Sequence, residues 1–282
     1  MKTVGFIDYY ISEWHANNYP AWLAEAGEAL GEEIKVSYVW AELEVSPVDG
    51  VTTDEWCEKY GAVRCESIAE LCERADYICI LSPSNPERHL DYVKEAFASG
   101  KRCYVDKTFA PTLEVAKEIV SLGERYSTPF FSTSALRYAS ELEGALSSER
   151  VRTTGGGSSF DEYIIHQVEM LVKLVGCDPK SVLAKEESGG TCHVFVDFES
   201  GKRGEMSYSA KSPFTVTWER SGAVSDTVKI ASPYFKCLMA DIVRFYLTGE
   251  YSFDRKETLA VAALREAAIK AKLNTGRAFS VF

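Results

Sequence analysis

The chain has 282 residues, 46% of them hydrophobic and 26% charged, with 42 acidic against 31 basic side chains and a net charge of −11. That length is enough for two modest domains or one large one, and the composition is that of an ordinary globular protein. The acidic balance, with no domain-long basic stripe, excludes a nucleic-acid partner and disfavours an anionic membrane surface.

The first eight residues turn polar too soon for a signal-peptide core, and no apolar run reaches the length that spans a bilayer. Eight cysteines stand at positions 57, 65, 72, 79, 103, 177, 192 and 237, with no Cys-x-x-Cys pair among them. That spacing suits neither a zinc site nor a disulfide framework. Cys79 and Cys103 sit in apolar runs, where a free thiol behaves as a small hydrophobe. A reduced, cytoplasmic protein is expected, with no metal.

Residues 3–7 read as an opening strand and 13–30 as a helix ended by Gly31. Residues 34–40 alternate apolar and polar, then run apolar, as a second strand does. A short helix starts at Thr53 or Asp54 and ends near Gly61; Ser67 caps another, with Glu70 completing a capping box. Residues 75–81 form a buried strand, and Ser82-Pro-Ser-Asn-Pro86 a turn. A helix over 87–99 stops at Gly100, and a strand over 103–105 leads to Lys107. Thr112 caps a helix running to residue 126, and 129–133 are one more strand. Strands alternating with helices to about residue 130 predict a doubly wound parallel sheet.

Beyond it the character changes. Gly155-Gly-Gly157 precedes a helix over about 161–175, followed by antiparallel strands over 192–198, 203–210, 214–220 and 227–230. Ser200-Gly201 and Ser221-Gly222 suit hairpin turns. Helices over 235–247 and 255–274 close the chain, the latter stopped at Gly276. The expectation is an α/β protein of two domains: a Rossmann-type unit over 1–125, and an α+β unit with an open, mainly antiparallel sheet over 126–282.

In an open parallel sheet the carboxyl ends of the strands line the ligand crevice. Lys107, just past such an end, is placed to offer an ammonium group there. The first strand–helix turn is the weak part. A dinucleotide fingerprint has three glycines, but Asp8, Tyr10 and Glu13 stand roughly where they belong. Two carboxylates bring negative charge toward a pyrophosphate and a tyrosine holds the backbone off, although a helix N-terminus still favours anions. Glu42 and Glu44 follow the second strand, where an acidic residue accepts ribose hydroxyls and favours NAD over NADP; each is equally a solvated loop carboxylate. Glu162, His166, Glu169 and Lys173 form one polar stripe on a helix, opposite Ile164, Val168, Leu171 and Val175. Such a stripe is by default a solvated face; alternatively it lines a cleft, with His166 as a general base.

Several segments taken together resemble the glucose–fructose oxidoreductase/inositol dehydrogenase (Gfo/Idh/MocA) family. Ala98-Ser-Gly-Lys-Arg-Cys-Tyr-Val-Asp-Lys-Thr-Phe-Ala110 is similar to that family's A-G-K-H-V-x-x-E-K-P-x-A segment, with Asp106 replacing Glu and Thr108 replacing Pro. Gly155-Gly-Gly157 and Tyr163-Ile-Ile-His-Gln-Val-Glu169 are similar to its glycine run and histidine-bearing helix. Ser134-Ala-Leu-Arg-Tyr138 resembles the start of its second domain, and the last two helices its C-terminus.

The resemblance implies hydride transfer between NAD or NADP and a secondary alcohol of a sugar, cyclitol or related polyol. It makes Lys107, His166 and Glu162 catalytic. His166 takes the hydroxyl proton, and Lys107 steadies the alkoxide. It places the cofactor on Asp8, Tyr10, Ile11, Ser12, Glu42, Ser82, Pro83, Asn85, Asp106 and Lys107. It places the substrate on Lys107, Arg137, Tyr163, His166 and Glu169. It also implies a homo-oligomer, dimer or tetramer, formed through the open sheet. The glycine-free turn leaves a second expectation standing: a non-catalytic homologue that binds a sugar or a partner protein and has lost tight cofactor binding.

Overall fold

The computed structural model describes residues 1–282 as two compact units, Met1–Ser132 with Lys236–Ser252, and Thr133–Phe235 with Phe253–Phe282. The first unit's core follows from five apolar runs too short to be anything but buried strands. Its elements are β1 (Lys2–Asp8), α1 (Trp14–Ala29), β2 (Ile34–Ala41), α2 (Thr53–Tyr60), β3 (Val63–Arg64), α3 (Ile68–Arg74), β4 (Tyr77–Ile80), α4 (His89–Ala96), β5 (Cys103–Val105), α5 (Leu113–Tyr126) and β6 (Phe130–Phe131). The six strands lie in the order β3-β2-β1-β4-β5-β6, all parallel. Strand order reverses between β1 and β4, so the turns after Asp8 and Leu81 share one edge of the sheet, the position where such folds take ligands. Apolar side chains on both faces (Val4, Phe6, Ile7, Ile78 and Ile80 are fully buried) fit a parallel sheet covered on both sides.

The second unit holds β7 (Arg150–Gly155), α6 (Phe160–Val175), β8 (Pro179–Glu186), β9 (Cys192–Phe198), β10 (Arg203–Tyr208), β11 (Thr215–Arg220), β12 (Ala223–Val224) and β13 (Val228–Lys229). After α7 (Tyr234–Thr248), most of which packs with the first unit, come α8 (Arg255–Leu273) and β14 (Ala278–Ser280). The sheet runs β12-β11-β7-β10-β9-β8-β14, antiparallel except for the β7–β10 pair. One face takes α6 and α8, whose buried residues include Ile164, Val168, Leu171, Leu264 and Ala268. The other face carries exposed Arg152, Phe195, Asp197 and Arg203.

This is the expected architecture, with a parallel sheet followed by an open, mainly antiparallel one. The first unit extends to residue 132 and takes in 236–252, a stretch the sequence reading leaves with the second half. The reason is local: Tyr246 stacks on Tyr77 with ring centroids 4.8 Å apart, and its hydroxyl donates to the Ile78 carbonyl at 2.9 Å. Five strands escape the sequence reading, among them the two-residue β12 after the Ser221-Gly222 turn. Strands β3 and β14 are two and three residues long, β8 opens on a proline, and β7 has Val151 as its one large apolar side chain. The helix read over 87–99 is α4 flanked by two 3₁₀ turns, Pro86–Arg88 and Phe97–Ser99. Both hairpin turns are present, with Gly201 at φ 80° and Ser221 and Gly222 at 52° and 78°.

Candidate functional site

The turn after β1 decides what the first unit can hold. Glu13 caps α1 with an extended backbone, and its carboxylate accepts the amide of His15 at 2.7 Å and that of Ala16 on the other oxygen. Those amides are the free donors with which a helix N-terminus holds a phosphate. Here an internal carboxylate has them. Asp8, fully buried, accepts the amides of Tyr9 (2.7 Å) and Ser82 (3.0 Å) on one oxygen, while its other oxygen is buried with no partner. Burial first, then the charge of Glu13, pushes the Asp8 pKa well up; burial likewise raises Glu13. Ile11 is buried, and Ser12 is held by Asp49, its hydroxyl donating at 2.7 Å.

A buried dyad lies beside this turn. His15 Nδ1 pairs with Asp106, whose other oxygen accepts the Tyr104 hydroxyl at 3.1 Å. Tyr19 stacks on the His15 ring at 5.0 Å, nearly parallel. Burial works to raise the Asp106 pKa, but His15 and then Lys107 hold it below the ordinary carboxylate value. Asp106, expected to meet a cofactor, is thus part of the interior. The dyad joins residues 91 apart and left no sign in the sequence reading.

At the end of β2, Glu42 accepts Arg88 Nε at 2.9 Å and Nη2 at 2.5 Å, and the Tyr92 hydroxyl at 2.7 Å. Glu44 accepts Arg64 at 2.8 Å. Neither carboxylate is a bare solvated charge. In the turn after β4, Ser82 sits at φ 58° with its hydroxyl donating to the Asn85 carbonyl, and Lys107, half-buried, donates to the Pro83 carbonyl at 3.3 Å. His89, fully buried, places one ring nitrogen 2.5 Å from the Leu81 carbonyl and the other 3.1 Å from the Phe109 carbonyl. It ties the turn after β4 to the loop bearing Lys107. Its signal was weak: one histidine in a helix start rich in charge.

In the second unit, α6 starts at Ser159, which caps it through the Glu162 amide. The polar stripe on this helix is half-buried at Glu162, His166 and Lys173 and fully covered at Glu169. Glu169 is 3% exposed and accepts Arg137 Nε and the Thr133 hydroxyl, both at 2.6 Å. Arg137 also donates to Glu257 at 2.7 Å and stacks on Phe253. Arg137 and Glu169, expected to bind substrate, therefore neutralise each other inside the unit. His166, half-buried, lies 2.8 Å from the Ser134 hydroxyl through Nδ1, between the rings of Tyr163 and Phe214. Glu162 accepts the Ser158 hydroxyl at 2.6 Å. The glycine run makes close approaches to its own chain. A Cβ on Gly157 would stand 2.1 Å from the Tyr163 ring, and one on Gly156 2.1 Å from the Ser209 carbonyl oxygen.

A parallel sheet with this switch point and a mixed sheet covered on one face by two helices make a fold shared with solved dehydrogenases of low identity. Residues 44–133 match the Gfo/Idh/MocA oxidoreductase family with its NAD-binding Rossmann fold, the family that several segments of the sequence resemble. Myo-inositol dehydrogenase from Lactobacillus casei, solved with NAD(H) and myo-inositol, has the same fold, with a TM-score of 0.79 at 12% identity over 99% of this chain and 96% of that one. Scyllo-inositol dehydrogenase from the same organism, solved with NAD(H) and scyllo-inositol, gives 0.75 at 12% over 99% of both chains. An NAD-binding oxidoreductase from Klebsiella pneumoniae gives 0.74 at 13% over 100% and 99%. No curated protein matches the chain in sequence.

The fold implies a dinucleotide, and the first turn does not fit one. Its two α1 amides are taken, Asp8 adds a second buried acid, and Tyr10 stands roughly where a glycine lets the backbone approach.

Proposed function

We propose that this chain is a Gfo/Idh/MocA homologue that binds a neutral polyol of the sugar or cyclitol class and does not retain a dinucleotide. The observation that carries the reading is the Glu13 carboxylate on the His15 and Ala16 amides. A pyrophosphate bound there would lose its donors and meet like charge. The polyol class rests on the fold shared with proteins solved with myo- and scyllo-inositol. The test is thermal melting with NADH, NADPH and myo-inositol. A ligand at a hundred times its dissociation constant stabilises by about 2.7 kcal/mol. The expected result is no shift at millimolar NADH or NADPH and a rise with myo-inositol or another polyol. A clear rise with either cofactor overturns the reading.

A second reading keeps the full chemistry of the resemblance: an NAD(P)-dependent dehydrogenase of a secondary alcohol, NAD favoured by Glu42. Lys107 and His166 favour it, one on each unit. In this reading His166 takes the hydroxyl proton and the Lys107 ammonium steadies the alkoxide. In that case Lys107→Ala or His166→Ala lowers turnover sharply and leaves cofactor affinity nearly intact.

We place the homo-oligomer on the open face of the second sheet, where a shallow cavity of about 240 Å³ is lined by Arg150, Arg152, Phe195, Asp197, Arg203 and Glu205. Phe195→Asp is expected to shift the mass measured by light scattering toward monomer without lowering the melting temperature.

A further inference from the structure

We propose that Glu13, seconded by Asp8, sets the ligand specificity of the first unit by standing where a ligand's own anion would stand. This rests on the reading that the unaltered chain does not retain a dinucleotide, and it goes further by assigning the exclusion to two side chains in an otherwise intact domain.

The geometry is that of a bound anion. The two oxygens of Glu13 each hold one amide of the first turn of α1, as two oxygens of a phosphate do. Asp8 supplies an independent sign. It is 1% exposed, one of its oxygens has no partner, and the Glu13 charge acts on it directly. An entering phosphate would have to displace the first carboxylate and would still face the second. Around these two, the dinucleotide architecture survives: the β1–β4 switch point, an acid at the end of β2, and the turn at Ser82. Exclusion by a pair of side chains, in place of loss of the fold, is reversible by substitution.

The experiment is titration of NADH, followed by its fluorescence at fixed ionic strength, into the full chain and into Glu13→Ser, Glu13→Gln and Asp8→Gly/Glu13→Ser. Serine keeps a cap on α1, so the helix start is retained. The expected result is no saturation in the unaltered chain. NADH should bind Glu13→Ser at least about tenfold tighter, and the double variant tighter still, a tenfold change being about 1.4 kcal/mol. Variants that melt like the parent and bind no better overturn the inference while leaving the parent reading intact. Tight binding by the unaltered chain overturns that reading instead.

Should the variants not fold, the unaltered chain provides a second readout. The groups whose charges act on Glu13 include His15, Asp106 and Asp8. Protonating the carboxylates removes their like charge, so whatever NADH binding the unaltered chain shows is expected to strengthen as the pH falls through the raised Asp8 and Glu13 values at constant ionic strength. Binding that is flat or falls on acidification overturns the inference.

Discussion

Asp8 is the residue whose environment is least comfortable. A carboxyl with a raised folded pKa contributes its stability below its unfolded value, and that contribution is lost as the pH rises through the folded value. Asp8→Asn removes the titration and keeps the acceptor for the Tyr9 and Ser82 amides. Its melting temperature is therefore expected to exceed that of the parent at pH 8, with the gap closing below about pH 4, where both forms are neutral. A gap independent of pH would mean that the folded Asp8 pKa is not raised above its unfolded value. Asp106 has the opposite sign. Its folded pKa is lowered, so its contribution is present at neutral pH and is lost as the pH falls through that lowered value. Removing one partner of a buried pair costs about 3–5 kcal/mol, the loss expected for His15→Ala in urea unfolding at pH 7. The residue scale is also where the sequence was least informative. Lys107 was legible because one strand and one glycine stop place it. The His15–Asp106 pair and the Arg137–Glu169–Glu257 cluster join distant positions, and no local pattern encodes which acid a given cation will meet.

Among the elements, what was legible followed from period and punctuation. Strand β4 was read because it is a short unbroken apolar run, helix α6 because its apolar residues recur at three to four, and α5 because Thr112 caps it. Strand β7 was not, since arginines and threonines fill it and Thr153 is buried only by bonding Gln167 at 2.9 Å. The polar stripe on α6 reads as solvated from spacing alone. Its Glu169 is covered because the 3₁₀ turn Ala135–Tyr138 brings Arg137 against it, a tertiary fact. The glycine run carries its own consequence. Gly156→Ala drives a methyl into the Ser209 carbonyl, which is backbone and cannot rotate away. Overpacking of this kind costs about 1–3 kcal/mol, and a lowered melting temperature by circular dichroism is expected. An unchanged melting curve would show that the 155–157 segment shifts freely.

The whole molecule is two units, but its chain does not pass from one to the other only once. The first unit is completed by 236–252, through the Tyr246 contacts and through Arg102, which donates to the Tyr246 carbonyl at 2.6 Å. A fragment ending at Ser132 leaves Tyr77 and Phe131 without Tyr246, Phe245 and Tyr251. It is expected to unfold without a cooperative transition, whereas the same fragment mixed with a 236–252 peptide should regain one. A sharp melt of the fragment alone would make the returning helix dispensable. The two-unit order was legible in the switch from alternating strands and helices to hairpins; the return of α7 was not, because an amphipathic helix does not name its partner.

That return also sets the order of events during synthesis. The parallel sheet emerges from the ribosome first, yet one side of it stays unsealed until the chain has been extended by roughly another hundred residues, a wait of several seconds at ordinary elongation rates. Throughout that interval Tyr77 and Phe131 lack their last cover. The nascent unit is therefore most open to chaperone capture, or to pairing with another unfinished copy, during the passage from residue 132 to residue 252.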